Sequence, residues 1–265
     1  MLLVQEATQG AAVVRARELV DELPLVANLF VHADLTPPLA ERTRVFLGFA
    51  RTGDLKAVGT AYLGFGRPAL GVSTLGENLD VAVAAELLAK MREGIDLPAI
   101  AIDDESRETA YASVFTVKAR HHELHYLLRT KVALPIAEDV AVERVAKADL
   151  PALDAFLRTH GATAWSAESF ETGPYVWVRE KGEVVAAAGV HFETPFVGQV
   201  ANVLVRDSHR KRGLGKAVTA AIARRLRERG KIVSLFVKED NEAARRLYEK
   251  LGFERVRRLV YLELA

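Results

Sequence analysis

The sequence predicts an α/β, layered α+β protein made of two tandem domains. Three observations carry this. Short β-rich runs alternate with amphipathic helices, the order that builds sheets covered by helices. That order occurs twice, at a constant offset of 135 positions. Between the two copies falls a segment of turn and extended residues.

In chain order, residues 80–92 carry apolar side chains at helical spacing. A short apolar strand follows Gly94 at 99–102, and the first half closes on a strand at 122–129. Ala133, Leu134 and Pro135 end that half. An extended run at 140–145 opens the next, where Asp149 is placed to cap a helix with Pro151 in its first turn. The second half then repeats the pattern: a helix at 215–229, a strand after Gly230 at 232–237 and a closing strand at 257–262. In this register Val83 falls on Val218, Leu87 on Ile222, Met91 on Leu226, Ile102 on Val237, Leu124 on Leu259, Tyr126 on Tyr261 and Leu127 on Leu262. It runs without a gap from the helix to the end of each half, which points to duplication. The expected domains are 1–134 and 140–265.

Composition narrows the function. No apolar stretch approaches the roughly 20 residues that span a bilayer, and residues 1–10 lack the basic flank and apolar run of a secretory signal. The chain has no cysteine, which rules out disulfides, a thiolate nucleophile and a cysteine metal site. A cytoplasmic protein without membrane partner or metal is expected. The net charge of +1 gives no overall attraction to nucleic acid. Arg224, Arg225, Arg227 and Arg229 read as a solvated helix face rather than a nucleic-acid stripe.

The chemistry concentrates after residue 199. Gln199 to Val205 is a β-rich run. It leads into Arg206, Asp207, Ser208, His209, Arg210, Lys211, Arg212, Gly213, Leu214, Gly215 and Lys216, and then into the long helix. A glycine-rich basic turn between strand and helix points backbone N–H groups into one concavity, and the helix dipole adds positive charge, so a diphosphate belongs there. Gly213 and Gly215 let the backbone approach it. A Walker loop is excluded because its Gly-Lys-Ser/Thr ending is absent, and a Rossmann fingerprint because position 218 is Val. Gly64, Phe65 and Gly66 read as a hairpin turn.

Arg210-x-x-Gly213-x-Gly215 after a strand resembles the pyrophosphate motif of the GNAT superfamily of N-acetyltransferases, Gln/Arg-x-x-Gly-x-Gly/Ala. At the right distance follows a run similar to the family's second signature: Asn241, Ala244, Tyr248, Gly252 and Phe253, in the spacing Asn-x-x-Ala-x-x-x-Tyr-x-x-x-Gly-Phe. The resemblance covers about 142–265 and is closest over 199–262. It implies that each half is a mixed, mostly antiparallel sheet flanked by helices, and that acetyl-CoA is the co-substrate. Its fourth and fifth strands would splay, with backbone groups of Val203 and Val205 pairing the pantetheine arm. N–H groups from Lys211 to Lys216 would hold the pyrophosphate, Asn241 would bond the arm, and Ala244 would let it pass. Tyr248 matches the general acid that protonates the leaving thiolate, and a backbone N–H near Leu204 or Val205 would stabilise the oxyanion.

The proton acceptor stays open. Some family members carry Glu where Gln199 stands, and Gln cannot accept the proton. His191 and Glu193, two apart on an expected third strand and so on one face, are the candidates, directly or through water. His209 is expected against phosphate or solvent. The acceptor side is expected from residues 160–175, with Trp165, Glu168, Phe170 and Glu171, which suit a cationic amine. The acceptor is a primary amine of a small molecule, amino acid or peptide. A non-catalytic acyl-CoA sensor is the alternative.

Carried over by the same offset, Arg210 falls on Leu75, Gly213 on Asn78, Gly215 on Asp80, Asn241 on Ser106, Tyr248 on Ser113 and Val203 on Pro68. With Glu77 ahead of the helix and no basic residue, the first half is expected to be a degenerate copy that binds no coenzyme A.

Overall fold

The computed structural model describes residues 1–265 apart from 8–10, 26, 65, 76–79, 136–138, 163, 164 and 166. Through the first half run β1 (Leu3–Ala7), α1 (Ala11–Asp21), α2 (Leu29–Asp34), β2 (Thr43–Phe49), β3 (Leu55–Tyr62), β4 (Ala69–Thr74), α3 (Val81–Arg92), β5 (Ala99–Asp104), α4 (Glu108–Val114) and β6 (Val117–Leu128). The second half supplies β7 (Glu143–Arg144), α5 (Leu150–Thr159), β8 (Tyr175–Glu180), β9 (Glu183–Glu193), β10 (Val197–Val205), α6 (Leu214–Glu228), β11 (Ile232–Lys238), α7 (Glu242–Lys250) and β12 (Phe253–Leu264).

Two compact units result: Met1–Glu123 with Arg258–Ala265, and Leu124–Arg257. In the first, the strands lie in the order β1-β2-β3-β4-β5-β12, all antiparallel except β4 with β5. In the second, β11-β10-β9-β8-β7 repeat the pattern, with β10 and β11 the parallel pair and β6 beside β11. The closing strands are longer than the sequence suggests, and each ends in the other half's unit. Residues 259–264 of β12 pair with β5, while residues 124–128 of β6 belong to the second unit. The units therefore differ from the sequence halves 1–134 and 140–265 by this exchange.

Helical periodicity sets the core. Along α3, Ala84, Leu87, Leu88 and Met91 are buried, and the Asp80 carboxylate caps the helix by accepting from Val83 N at 3.0 Å. Each large side chain there contributes about 1.5–3 kcal/mol. In the second unit Leu214, Val218, Ile222 and Leu226 of α6 line one core with Val200, Val233, Leu235, Tyr248 and Phe253. A second core, with Leu153, Phe156 and Leu157 of α5 and Trp177 of β8, includes Ala187 of β9.

Two expectations are corrected. The 135-residue register holds for α3 with α6, β5 with β11 and β6 with β12, but not for the strand before the helix. Six residues, 75–80, connect β4 to α3, against eight, 206–213, from β10 to α6. Pro68 and Leu75 are thus not the structural counterparts of Val203 and Arg210. Asp149 does not cap α5 through its side chain. Its Oδ2 instead accepts from Ala146 N at 3.2 Å, closing a 3-10 turn at Lys147–Asp149, while Pro151 sits in the first turn of α5 as expected. The expected hairpin tip at Phe65 and the Glu77 and Asn78 positions lie outside the described residues.

Candidate active site

Beside β11, strand β10 runs parallel only from Val197–Ile232 to Val200–Leu235, and then the two part. On its other edge β10 stays paired with β9 as far as Val205–Ala186. The backbone of residues 201–205 thus keeps one neighbour and opens on the β11 side. A bulge sharpens the turn away: Asn202 and Val203 stand opposite Ala188 alone, and Asn202 takes φ +52. Asn tolerates this left-handed conformation better than most residues, and its Nδ2 donates to Tyr175 Oη at 2.9 Å.

Next to the gap lies the basic turn. Lys211 at φ +63 and Gly213 at φ +79 are both left-handed, and no side chain caps α6 after Gly213. The first-turn N–H groups of a helix have no intrahelical partner, so an uncapped start aims them outward. The basic side chains divide. Arg210 pairs with Asp207 at 2.7 Å. Arg212 makes a fork with Glu180 at 2.7 and 3.1 Å and holds that carboxyl below its usual pKa. His209 is drawn to the same Glu180, Nε2 to Oε2 at 3.5 Å. Lys211 and Lys216 are exposed without a carboxylate partner among the described residues. Glu180 escaped the sequence reading because it lies 32 positions from Arg212 and belongs to no motif.

Asn241 caps α7: its Oδ1 accepts from Ala244 N at 3.1 Å, which leaves the amide NH₂ to face a ligand. One and two turns on, Ala244 and Tyr248 lie on the inward side of α7, Tyr248 only 7% exposed and edge-on to Phe253 at 6.0 Å. Burial pushes the Tyr248 phenol up to about 12, so it stays protonated through neutral pH.

The proton-acceptor candidates come to different places. Glu193 pairs with Gly198 at the closed end of β10 and is held by Arg229 at 2.9 Å and Lys231 at 3.7 Å. At about 3.3 Å per residue this is on the order of 20 Å along the strand from Leu204. His191 is the extra residue of a second bulge, between the Val190–Val200 and Phe192–Gln199 pairs. Burial pushes its pKa down to about 4, so it is neutral but a weak base. Trp165 is buried in the core, donating to Asp154 at 2.8 Å and edge-on to Tyr175. Phe170 stacks on Tyr175 and Glu171 is exposed, while the Glu168 side chain lies outside the described residues.

The first unit has its own strand gap. β4 and β5 are parallel only at Ala69–Ile100 and Leu70–Ala101. Here buried side chains crowd in. Tyr111 Oη donates to Asp103 Oδ2 at 3.0 Å and approaches Leu70 O at 3.4 Å. Asp103 also pairs with Arg107 at 2.7 Å, and Arg107 reaches Ala27 O and Asn28 Oδ1, both at 3.1 Å.

Among the described residues no helix is long and apolar enough to cross a membrane. Residues 175–262 match the family described as FR47-like protein. A 64-residue stretch is 45% identical to a mycothiol acetyltransferase of Kocuria rhizophila, covering 24% of this chain and 21% of that protein, so the match spans about a fifth of the relative's length. A solved GCN5-related N-acetyltransferase from Kribbella flavida is 21% identical with a TM-score of 0.67, over 90% of this chain and 95% of that one. A tandem GNAT protein from the clavulanic acid biosynthesis pathway is 15% identical with a TM-score of 0.69, over 99% and 98%. Residues 175–262 are therefore similar to the FR47-like family, and the chain as a whole has the fold of these GNAT proteins, a tandem one among them.

Proposed function

We propose that the protein is an N-acetyltransferase that uses acetyl-CoA to acetylate a primary amine of a small molecule, amino acid or peptide. The observation that carries this is the parting of β10 from β11 after Val200 and Leu235, next to an uncapped helix start with two left-handed residues. An extended arm suits the open strand edge, and a diphosphate suits the turn. When bound, acetyl-CoA supplies the acetyl group as a thioester.

The chain's own groups do the rest. Backbone groups of Val203 and Val205 hold the arm, and the N–H groups from Lys211 to Lys216 hold the diphosphate. Lys211 and Lys216 add charge, while Arg210 and Arg212 are already paired and shape the turn. Asn241 donates from its amide nitrogen, and Ala244 leaves room. An N–H near Leu204 or Val205 faces the oxyanion. As the amine forms its bond to the acetyl carbon, the bond to sulfur breaks and Tyr248 protonates the thiolate. With Glu193 ion-paired and His191 weakly basic, the amine arrives neutral and its proton leaves to water. The buried Tyr111, Asp103 and Arg107 fill the first unit's strand gap, so that unit binds no coenzyme A.

A non-catalytic acyl-CoA sensor is the second reading, favoured by the amide at position 199, which cannot take a proton. Free thiol released from acetyl-CoA against a library of primary amines separates the two. Turnover supports the enzyme. Binding without turnover for every amine supports the sensor.

A further inference from the structure

We infer that Tyr175 is a positioning residue for the pantetheine arm: through Asn202 it fixes which backbone groups of β10 turn to the open strand edge; this rests on the acetyl-CoA reading above. Tyr175 of β8, Gly189 of β9 and Ala201 of β10 are register partners and form one row across three strands. The Tyr175 ring lies along that row, over Gly189. A Cβ at position 189 would stand 2.0, 2.2 and 2.4 Å from its Cε1, Cδ1 and Cζ, so a side chain there would displace the ring. Glycine lets the phenol pass over β9 and meet β10, where its Oη accepts from Asn202 Nδ2 at 2.9 Å.

That bond acts on the residue that sets the phase of the strand. Val200 enters the core lined by α6, so Ala201 takes the other face, the face of Tyr175. Asn202 reaches the same side, and two consecutive residues on one face are the mark of a bulge. Beyond it Val203 and Val205 pack on the α6 core and Leu204 on the α5 core. Unbroken alternation from Val200 would give the reverse, with Leu204 on the α6 side. The backbone follows the same phase. Arg206 N donates to Val185 O at 2.9 Å, so Arg206 and Leu204 turn their N–H and C=O groups toward β9. Val203 and Val205 therefore turn theirs to the edge that β11 has left.

Asn202 stands at φ +52, and a non-glycine residue persists there only where its surroundings hold it. The bond to Tyr175 does this, and Tyr175 is itself held. It is fully buried, with Trp165 edge-on at 5.1 Å and Phe170 stacked at 5.8 Å. Its carbonyl accepts from Val145 N at 3.0 Å. Tyr175 touches no ligand and acts through Asn202 alone. With the phenol oxygen gone, Asn202 is released toward extended backbone. The strand after it then slips out of phase, and Val203 and Val205 no longer offer paired groups to an extended arm.

The test titrates the full chain by calorimetry with coenzyme A and with 3′-phosphoadenosine 5′-diphosphate, which is coenzyme A without the pantetheine arm. Tyr175→Phe keeps the ring over Gly189 and removes only its oxygen. It should weaken coenzyme A at least tenfold and leave the nucleotide within twofold, because the nucleotide occupies the turn and not the strand edge. Asn202→Gly accepts the left-handed conformation without a side-chain bond. In that background Tyr175→Phe should change coenzyme A affinity less than twofold, the non-additivity expected of residues that act as one unit. A role in folding alone would lower the melting temperature and weaken both ligands equally or neither. Either result overturns the inference and leaves acetyl transfer intact. So does a tenfold loss from Tyr175→Phe that persists in Asn202→Gly protein. Failure of the wild-type chain to bind coenzyme A overturns both.

Discussion

Tyr248 was legible because it sits in a spaced motif with Asn241 and Gly252, and local spacing survives in the sequence. Its packing against Phe253 and its raised pKa come from the fold. Tyr248→Phe keeps the ring and removes only the proton donor, so kcat should fall by about 10²–10⁴-fold with coenzyme A affinity unchanged, as read by thiol release and calorimetry. Asp34 was not legible at all. Burial pushes its carboxyl up to about 7, against the Thr60 hydroxyl that donates to it at 2.6 Å. Unfolded aspartate ionises near about 3.9. Between about pH 4 and 7 the folded chain keeps a proton that the unfolded chain has lost, so stability falls as pH rises through that window. Asp34→Asn lacks this slope. The variant should gain several degrees in melting temperature on wild type between about pH 4.5 and 7.5. The buried His125 and His191, neutral in the fold, are common to both proteins and cancel. A pH-independent difference would contradict the assignment.

Elements followed the periodic signals closely: α3 and α6 fall within a residue or two of their expected bounds. What periodicity missed was set by pairing partners. The β10 bulge at Asn202, the fork from Arg212 to Glu180 and the true length of the β4 connection depend on neighbours that no local window contains. Gly213 shows how an element shapes the proposed binding turn. At φ +79 it opens α6, and a Cβ there would meet nothing within 4 Å. Gly213→Ala should cost about 1 kcal/mol through the backbone alone, and it should also weaken coenzyme A at least tenfold because the methyl intrudes on the concavity. Gly53, at φ +89 with equally open space, is the control. Gly53→Ala should show a similar loss of melting temperature with coenzyme A affinity unchanged. Equal effects of both on affinity would remove the turn from the binding site.

At the scale of the whole chain, the repeat was readable because apolar positions recur at one offset. The exchange of closing strands was not, because only long-range pairing decides which strands β6 and β12 lie beside. The two units share a sheet order and a strand gap, and they differ in what fills it: Tyr111, Asp103 and Arg107 in the first, an open strand edge beside a basic turn in the second. Counting coenzyme A sites by calorimetric titration of the full chain tests this most directly. One site per chain, lost when Lys211 and Lys216 are both changed to Glu, is the predicted result. Two sites per chain, or none, would contradict it.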